Sequence, residues 1–357
     1  MSFYTQFIRP LLFMMDAEKA HHLALSIAEK THQSDFLQSL SRTLYTSKFQ
    51  DPVSLWGLHF PNRIGLAAGF DKNGTTPLAM QALGFGFIEI GSITAKSSLG
   101  NPKPRAFRLP KDRSLINRMG LNNDGTDAII KRLTNTDMEI PLGVNIAKTN
   151  DSAIHGTHAV EDYVYSYLKA QRVADYITIN ISCPNTGEGK TFEDPAALKE
   201  LLQAIKRSAQ SAEVVSTREK PIPQASSFAH VPTTVKFSVD TTREQLMILL
   251  DICEELGIDG YVATNTSNHR DGLKTSEHML RSIGNGGLSG SAIAGRSLRM
   301  TQWLAEALGE TKPIISVGGI STREEYRARL DAGASLVQVY TGLIYEGPSL
   351  VSQMLRP

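Results

Sequence analysis

The segment 176–194, YITINISCPNTGEGKTFED, ends an apolar, β-branched run on Ser182, Cys183, Pro184 and Asn185. A thiol in that place is either packed as a small hydrophobe or poised to react. It ionises near ~8.5, so at neutral pH it is a far more available base than an aliphatic hydroxyl. Other residues able to do chemistry close comparable runs: Asp71 with Lys72, Ser92, Asn145, Asn180, Lys236, Thr264 with Asn265 and Thr266, and Tyr340 with Thr341. Buried amides and lysines need partners, which a purely packed core does not supply. The set suits a pocket lined with hydrogen-bond donors and acceptors. Cys253, inside LLDICEEL, reads as an ordinary core thiol.

Something must hold these residues together. After about residue 45 short β-branched runs alternate with amphipathic helical stretches, the pattern of βα units. The runs are 63–69, 86–92, 141–147, 176–182, 233–239, 260–266, 313–319 and 336–342. Eight such units predict a closed (β/α)₈ TIM barrel, in which polar residues at the C-terminal strand ends form the active site. The insertion after the second run, NPKPRAFRLPKDRSLINRMG, reads as a hairpin over one end of the barrel. A doubly wound sheet would want a G-x-G-x-x-G turn after an early strand, and none stands there. GEGKT at 187–191 imitates the end of a P-loop, but Pro184 occupies the place of its first glycine.

Composition narrows the function. With 37 Lys+Arg against 36 Asp+Glu, no global basic field invites nucleic acid. Two cysteines in 357 residues fit a reducing compartment, and no HExxH or paired CxxC predicts a metal. Residues 1–45 form a separate, helical extension on a barrel domain spanning 46–357. Phe3, Phe7, Leu11 and Met14 recur at helical spacing, as do Leu23 and Ile27. That stripe either packs on its own domain or lies in a membrane interface. Arg9, Pro10 and Asp16 interrupt it, so no membrane span is expected, and a signal peptide's basic start is missing.

The last two barrel strands end in SVGGIS and VYTGLI, and GGLSG at 286–290 adds another glycine-rich loop. Barrels commonly bind a phosphate after strands seven and eight. Flavin mononucleotide fits, its phosphate on the glycines and its ring across the mouth. A phosphorylated sugar would use the same loops but leaves Lys236 and the central amides unexplained.

GLAAGFDKNG, IEIGSIT, FRLPKDRSLINRMGLNNDG, PLGVNIAK, NISCPNT, ATNTS, GGLSG and IISVGGISTREEYRARLDAGASLVQVYTG follow one another along the chain. In content and order they closely resemble the dihydroorotate dehydrogenases. DAEKAHHLAL and INRMGLNN look like the membrane-associated, quinone-reducing class. The resemblance implies oxidation of dihydroorotate to orotate in pyrimidine (UMP) synthesis, with FMN as hydride acceptor and a membrane quinone as electron acceptor. It implies a peripheral location on the cytoplasmic side of the inner membrane. FMN would be held by Ala68, Gly69, Phe70, Asp71, Lys72, Ser92, Asn145, Asn180, Lys236, Thr264, Gly290, Gly319, Tyr340 and Thr341. Dihydroorotate would be held by Lys72, Asn180, Asn185, Asn265 and Thr266, and by the run Asn117, Arg118, Met119, Gly120 and Leu121. His21 and Arg108 would face the quinone. Cys183 would be the catalytic base.

Four places depart from the quinone-class pattern. That class usually has serine where this chain has Cys183, cysteine being typical of soluble classes. Leu121 stands where phenylalanine is common, and GEGKTFED and KFSVD also differ. A divergent member using fumarate, NAD or another pyrimidine is the alternative.

Overall fold

The computed structural model describes residues 2–182, 191–212, 228–229 and 231–356. The chain opens with one wide helical turn, Tyr4–Ile8, then α1 (Arg9–Met14), α2 (Ala17–His32) and α3 (Asp35–Tyr45). The Asp16 carboxylate caps the start of α2 by accepting from the backbone N–H groups of Glu18 and Lys19, both at 3.0 Å. Ser34 caps α3 in the same way, accepting from Leu37 N–H at 3.4 Å. Tyr4 Oη donates to Ile344 O at 2.8 Å and Arg9 Nη1 to Tyr345 O at 3.0 Å, tying the first turns to the far end of the chain. The apolar stripe faces outward: Met14 is 84% exposed, Phe36 74% and Leu11 67%.

A tight hairpin follows, β1 (Val53–Leu55) against β2 (Leu58–Phe60). The barrel strands are β3 (Ile64–Leu66), β4 (Phe87–Ile93), β7 (Leu142–Ile146), β8 (Tyr176–Asn180), β9 (Thr233–Phe237), β10 (Gly260–Ala263), β12 (Ile314–Val317) and β13 (Leu336–Val339). They pair in parallel and close, β13 beside β3. Every one of the eight runs read from the sequence is a barrel strand. All are buried along their length, because helices cover the outside and side chains fill the inside. The outer layer comprises α4 (Pro77–Ala82), α5 (Thr126–Leu133), α6 (Thr157–Ala170), α7 (Pro195–Ser211), α8 (Arg243–Leu256), α9 (Glu277–Ile283), α10 (Ala294–Leu308) and α11 (Arg323–Asp331). Short α12 (Thr341–Glu346) and α13 (Leu350–Leu355) end the chain.

The expected insertion is a hairpin, β5 (Ala106–Leu109) with β6 (Ser114–Asn117). One expectation is corrected. GGLSG is largely a strand, β11 (Gly287–Gly290), pairing antiparallel with β6 from Gly287 opposite Asn117 to Gly290 opposite Ser114. Glycine-rich sequence suggests a loop, but here it lets two backbones lie close: a Cβ on Gly286 would sit 2.8 Å from Asn117 O.

The lower barrel is filled by aromatics. Phe87 meets Phe60 of the hairpin edge-on at 5.5 Å, and Trp56 lies 5.8 Å from Tyr176. Strand glycines make the room: a Cβ on Gly143 would fall 2.2 Å from Tyr176 Cζ. Gly143→Ala should therefore overpack the floor and cost about 1–3 kcal/mol in denaturant unfolding. An unchanged midpoint would contradict this packing.

Candidate active site

The C-terminal ends of the barrel strands surround one hollow, lined by Lys236, Thr264, Asn265, Gly319, Gln338 and Thr341 among others. A smaller hollow adjoins it at Gly290, Gly319 and Thr341, with Arg113 on its rim.

Below the mouth lies Glu89 of β4, completely buried. Its Oε1 accepts from Asn145 Nδ2 at 2.8 Å. Its Oε2 accepts from Gln338 Nε2 at 2.7 Å and from the hydroxyls of Tyr176 and Thr178, each at 3.1 Å. Asn145, thus oriented, accepts from the Ser92 hydroxyl. Asn180 Nδ2 donates to Ser92 Oγ at 3.2 Å, and Asn265 Nδ2 donates to Asn180 Oδ1 at 3.2 Å and to Ser182 O at 2.8 Å. One polar chain therefore runs from the barrel axis across the mouth. Lys236, 6% exposed, lines the hollow, and its ammonium has no acceptor among the described residues. Burial lowers its pKa and the Glu89 charge works against that shift. Gln338 Oε1 is buried without a partner among the described residues.

The glycine end is a cradle. A Cβ on Gly319 (φ +72°) would fall 2.6 Å from Ala294 Cβ, and one on Gly342 would fall 2.2 Å from Ile320 O. On Gly290 it would lie 2.6 Å from Arg113 O. Arg329, 2% exposed, stands behind this loop and donates to Gly318 O at 2.7 Å, Ala294 O at 2.9 Å and Ser297 Oγ at 2.8 Å. Burial lowers its pKa to about 10, so it stays cationic at neutral pH.

Ala68, Tyr340 and Thr264 also line the hollow. Gly69 lies against Tyr340, whose ring would be 3.3 Å from a Cβ at that position. Burial pushes the Tyr340 phenol up to about 12. Phe70 packs edge-on against Tyr340 at 5.6 Å. Asp71 is beside them, but its carboxylate is taken by Thr75 N–H, Thr76 N–H and the Thr76 hydroxyl at 2.8–3.0 Å, so it orders the β3–α4 turn.

Lys72 Nζ donates to Asn122 Oδ1 at 2.8 Å, which joins it to the segment carrying Met119, Gly120 and Leu121 (φ +56°). Asn117 ends β6, its Nδ2 donating to Gly287 O at 3.4 Å. The Arg118 guanidinium is engaged by the carbonyls of Ile283, Asn285 and Pro104 and covers the Phe107 ring. Thr266 follows Asn265, whose Oδ1 accepts from Thr266 N–H at 2.8 Å. Cys183 and Asn185 lie outside the described residues. Cys253 is fully buried, and burial raises its thiol pKa, as suits a core residue.

His21 of α2 sits edge-on to Phe70 at 5.1 Å, with Tyr340 6.5 Å away. Burial lowers its pKa to about 4, so it is neutral at pH 7. Arg108 covers the Phe13 ring at 4.7 Å and donates to Leu12 O at 2.8 Å and to Met15 O. No helix among the described residues is long and apolar enough to cross a membrane. Among the same residues no cluster of three or more His, Cys, Asp or Glu could hold a metal.

Sequence reasoning missed Glu89, Gln338, Asn122 and Arg329. Glu89 carries the one readable signal, an acid inside the apolar run GFIEIGS.

The sequence profile of the family described as dihydroorotate dehydrogenase matches residues 52–356. A protein from Acinetobacter baylyi named dihydroorotate dehydrogenase (quinone) is 38% identical over 97% of this chain and 96% of its own length. One of the same name from Aromatoleum aromaticum is 41% identical over 98% and 93%. Crystal structures of DHODH from Eimeria tenella superpose well. The ligand-free form has a TM-score of 0.82 at 33% identity, covering 95% of this chain and 93% of that one. The complex with ferulenol has a TM-score of 0.81 at 32% identity, covering 95% and 89%.

Glu89→Leu would leave the Asn145 amide, the Gln338 amide and two hydroxyls without their acceptor. Such a change should cost about 3 kcal/mol or more, read from denaturant unfolding of flavin-free protein. A wild-type midpoint would show that the carboxylate does not organise the mouth.

Proposed function

The chain belongs to the dihydroorotate dehydrogenase family, and from that premise we propose that it oxidises dihydroorotate to orotate in pyrimidine biosynthesis, with FMN as hydride acceptor and a quinone as final electron acceptor. In this reading residues 1–45 are the quinone-facing cap and 46–357 the catalytic barrel. The observation that carries it is the combination at the barrel mouth. Lys236, buried and with no acceptor among the described residues, lines a hollow that ends in a close-packed glycine cradle, and Gln338 beside it has a carbonyl oxygen with no partner among the same residues.

These residues fit FMN. Backbone N–H groups about Gly319, Thr341 and Gly290 would take the phosphate, with the Arg329 charge behind them. Ser92, Asn145, Asn180 and Thr264 would line the ring, and Lys236 would offset the negative charge that gathers on it. When bound, FMN supplies the two-electron acceptor. Lys72 suits the substrate carboxylate. Asn117, Asn185, Asn265 and Thr266 offer the mix of donors and acceptors a pyrimidine ring requires.

Two bonds to hydrogen break as the ring's new double bond forms. Bound FMN would supply the hydride acceptor for one carbon, and a base of this chain would take the proton from the adjacent carbon. We assign the base to Cys183, which directly follows Ser182, itself buried and donating to Asn180 Oδ1 and Lys236 O. Its thiol ionises much more readily than the serine usual in the quinone class.

For the electron exit, the support is the outward apolar face of α1–α3, with His21 6.5 Å from Tyr340 and Arg108 bound to the end of α1. A cap that docks on lipid by buried area would admit a hydrophobic quinone without passage through water. A peripheral location on the cytoplasmic side of the inner membrane accords with this reading.

Orotate formation should be rapid with a quinone and slow with fumarate or NAD as sole acceptor. Equal or faster turnover with a soluble acceptor would overturn the acceptor assignment. Cys183→Ala should retain FMN but slow flavin reduction by dihydroorotate roughly 10²–10⁴-fold. Reduction at the wild-type rate would remove Cys183 from the mechanism.

A further inference from the structure

Glu18 opens α2, in the cap, yet only 4% of it is exposed. It faces Arg105, itself 6% exposed, at the start of the β5–β6 insertion. Arg105 Nη2 donates to Glu18 Oε1 at 2.8 Å, and Nε donates to Oε1 and Oε2 at 3.1 and 3.3 Å. His22 Nε2 and Lys103 Nζ stand 3.5 and 3.4 Å from the same carboxylate.

The other arm of the guanidinium points elsewhere. Arg105 Nη1 donates to Leu99 O at 2.6 Å and Asn101 O at 3.0 Å, and reaches Met119 O at 3.5 Å. Met119 is in the run 117–121. That run is pinned further by the same neighbourhood: Asn101 N–H donates to Met119 O at 3.1 Å and Asn101 Nδ2 to Arg118 O at 3.0 Å. Arg118 N–H donates to Arg105 O at 2.8 Å, and Asn150 Nδ2 to Gly120 O at 3.0 Å. Contact is close enough that a Cβ on Gly100 would lie 2.2 Å from Met119 O, and one on Gly120 2.6 Å from Asn101.

We propose that Glu18 is a positioning residue for the pyrimidine, acting through Arg105 on segment 117–121, so that the cap and the substrate side of the site are one mechanical unit. The inference rests on the reading above that this segment borders the substrate. A guanidinium is a rigid planar fork, so its two arms cannot be aimed independently. With the carboxylate in place, the Nε edge is fixed and Nη1 is directed at the three carbonyls. Without it, a buried cation must find another acceptor, and turning the fork withdraws Nη1 from Leu99, Asn101 and Met119 together. Loss of the cap therefore impairs the pyrimidine side as well as the electron exit. Burial would raise the Glu18 pKa, but Arg105 and Lys103 outweigh that and hold it below the usual carboxylate range. The link is accordingly complete at neutral pH and weakens only as pH falls through that depressed value.

The test is orotate affinity of the flavin-loaded, full-length enzyme, read from the change orotate causes in the flavin spectrum. Glu18→Gln should weaken orotate binding about 5- to 50-fold, raise the dihydroorotate KM more than it lowers kcat, and leave FMN content unchanged. Leu25→Ala loosens the same helix against the core without a contact to Arg105, and should keep orotate affinity within about twofold of wild type. If Glu18→Gln does not fold, Arg105→Lys keeps the charge, loses the fork, and carries the same expectation. Wild-type orotate affinity in the Glu18 or Arg105 variant, or equal weakening by Leu25→Ala, would overturn the proposal. Failure of the wild-type enzyme to bind orotate would instead overturn the reading beneath it.

Discussion

A single buried carboxylate decides the order of the barrel mouth. Glu89 is fully buried inside a closed sheet, where a charge is tolerated only if donors surround it. Four side chains from β7, β8 and β13 supply them. The requirement works in both directions. The strands satisfy the charge, and the charge fixes the orientation of Asn145, from which Ser92, Asn180, Asn265 and the Ser182 carbonyl follow in sequence. Amides that could point several ways are thus set before any ligand arrives, which is the preorganisation a polar planar group needs. Lys236 alone is left without an acceptor among the described residues, its charge supported from below by the same carboxylate.

The cap extends that logic outward. Its helices expose apolar residues, while buried Glu18 turns toward the barrel insertion. Arg108 holds the end of α1 by its carbonyls, His21 lies against Phe70, and Glu18 grips Arg105. Each of these contacts lands on residues that border the hollow or the loops beside it. The result is an N-terminal extension held to the barrel domain by a few cross-element bonds.

Much of this was legible in the sequence, for physical reasons. Parallel barrel strands are buried on both faces, so they read as continuous β-branched runs, and all eight are found where the runs stand. The polar strand ends stood out because lysines and amides are anomalous there. Glycines were ambiguous: those at 318–319 do form a cradle, whereas Gly287–Gly290 is a strand paired with β6. Asp71 stands among the site residues read from the sequence, and its carboxylate orders the turn that carries them. Glu18 with Arg105 was invisible, because 87 positions separate them and neither has a local pattern. Reading a stripe such as Leu11 and Met14 cannot by itself say whether its partner is the domain or a membrane. Their exposure in the folded chain says only that these side chains are not packed on their own domain.

The central claim is that one flavin passes electrons from dihydroorotate to a quinone through this mouth. Anaerobic rapid mixing tests it most directly. Purified holoenzyme mixed with dihydroorotate should lose its flavin absorbance in one phase, with one orotate formed per flavin. A second mix with a short-chain quinone should restore the absorbance within a turnover. A flavin that dihydroorotate does not bleach, or one that bleaches yet is untouched by quinone, would contradict the account.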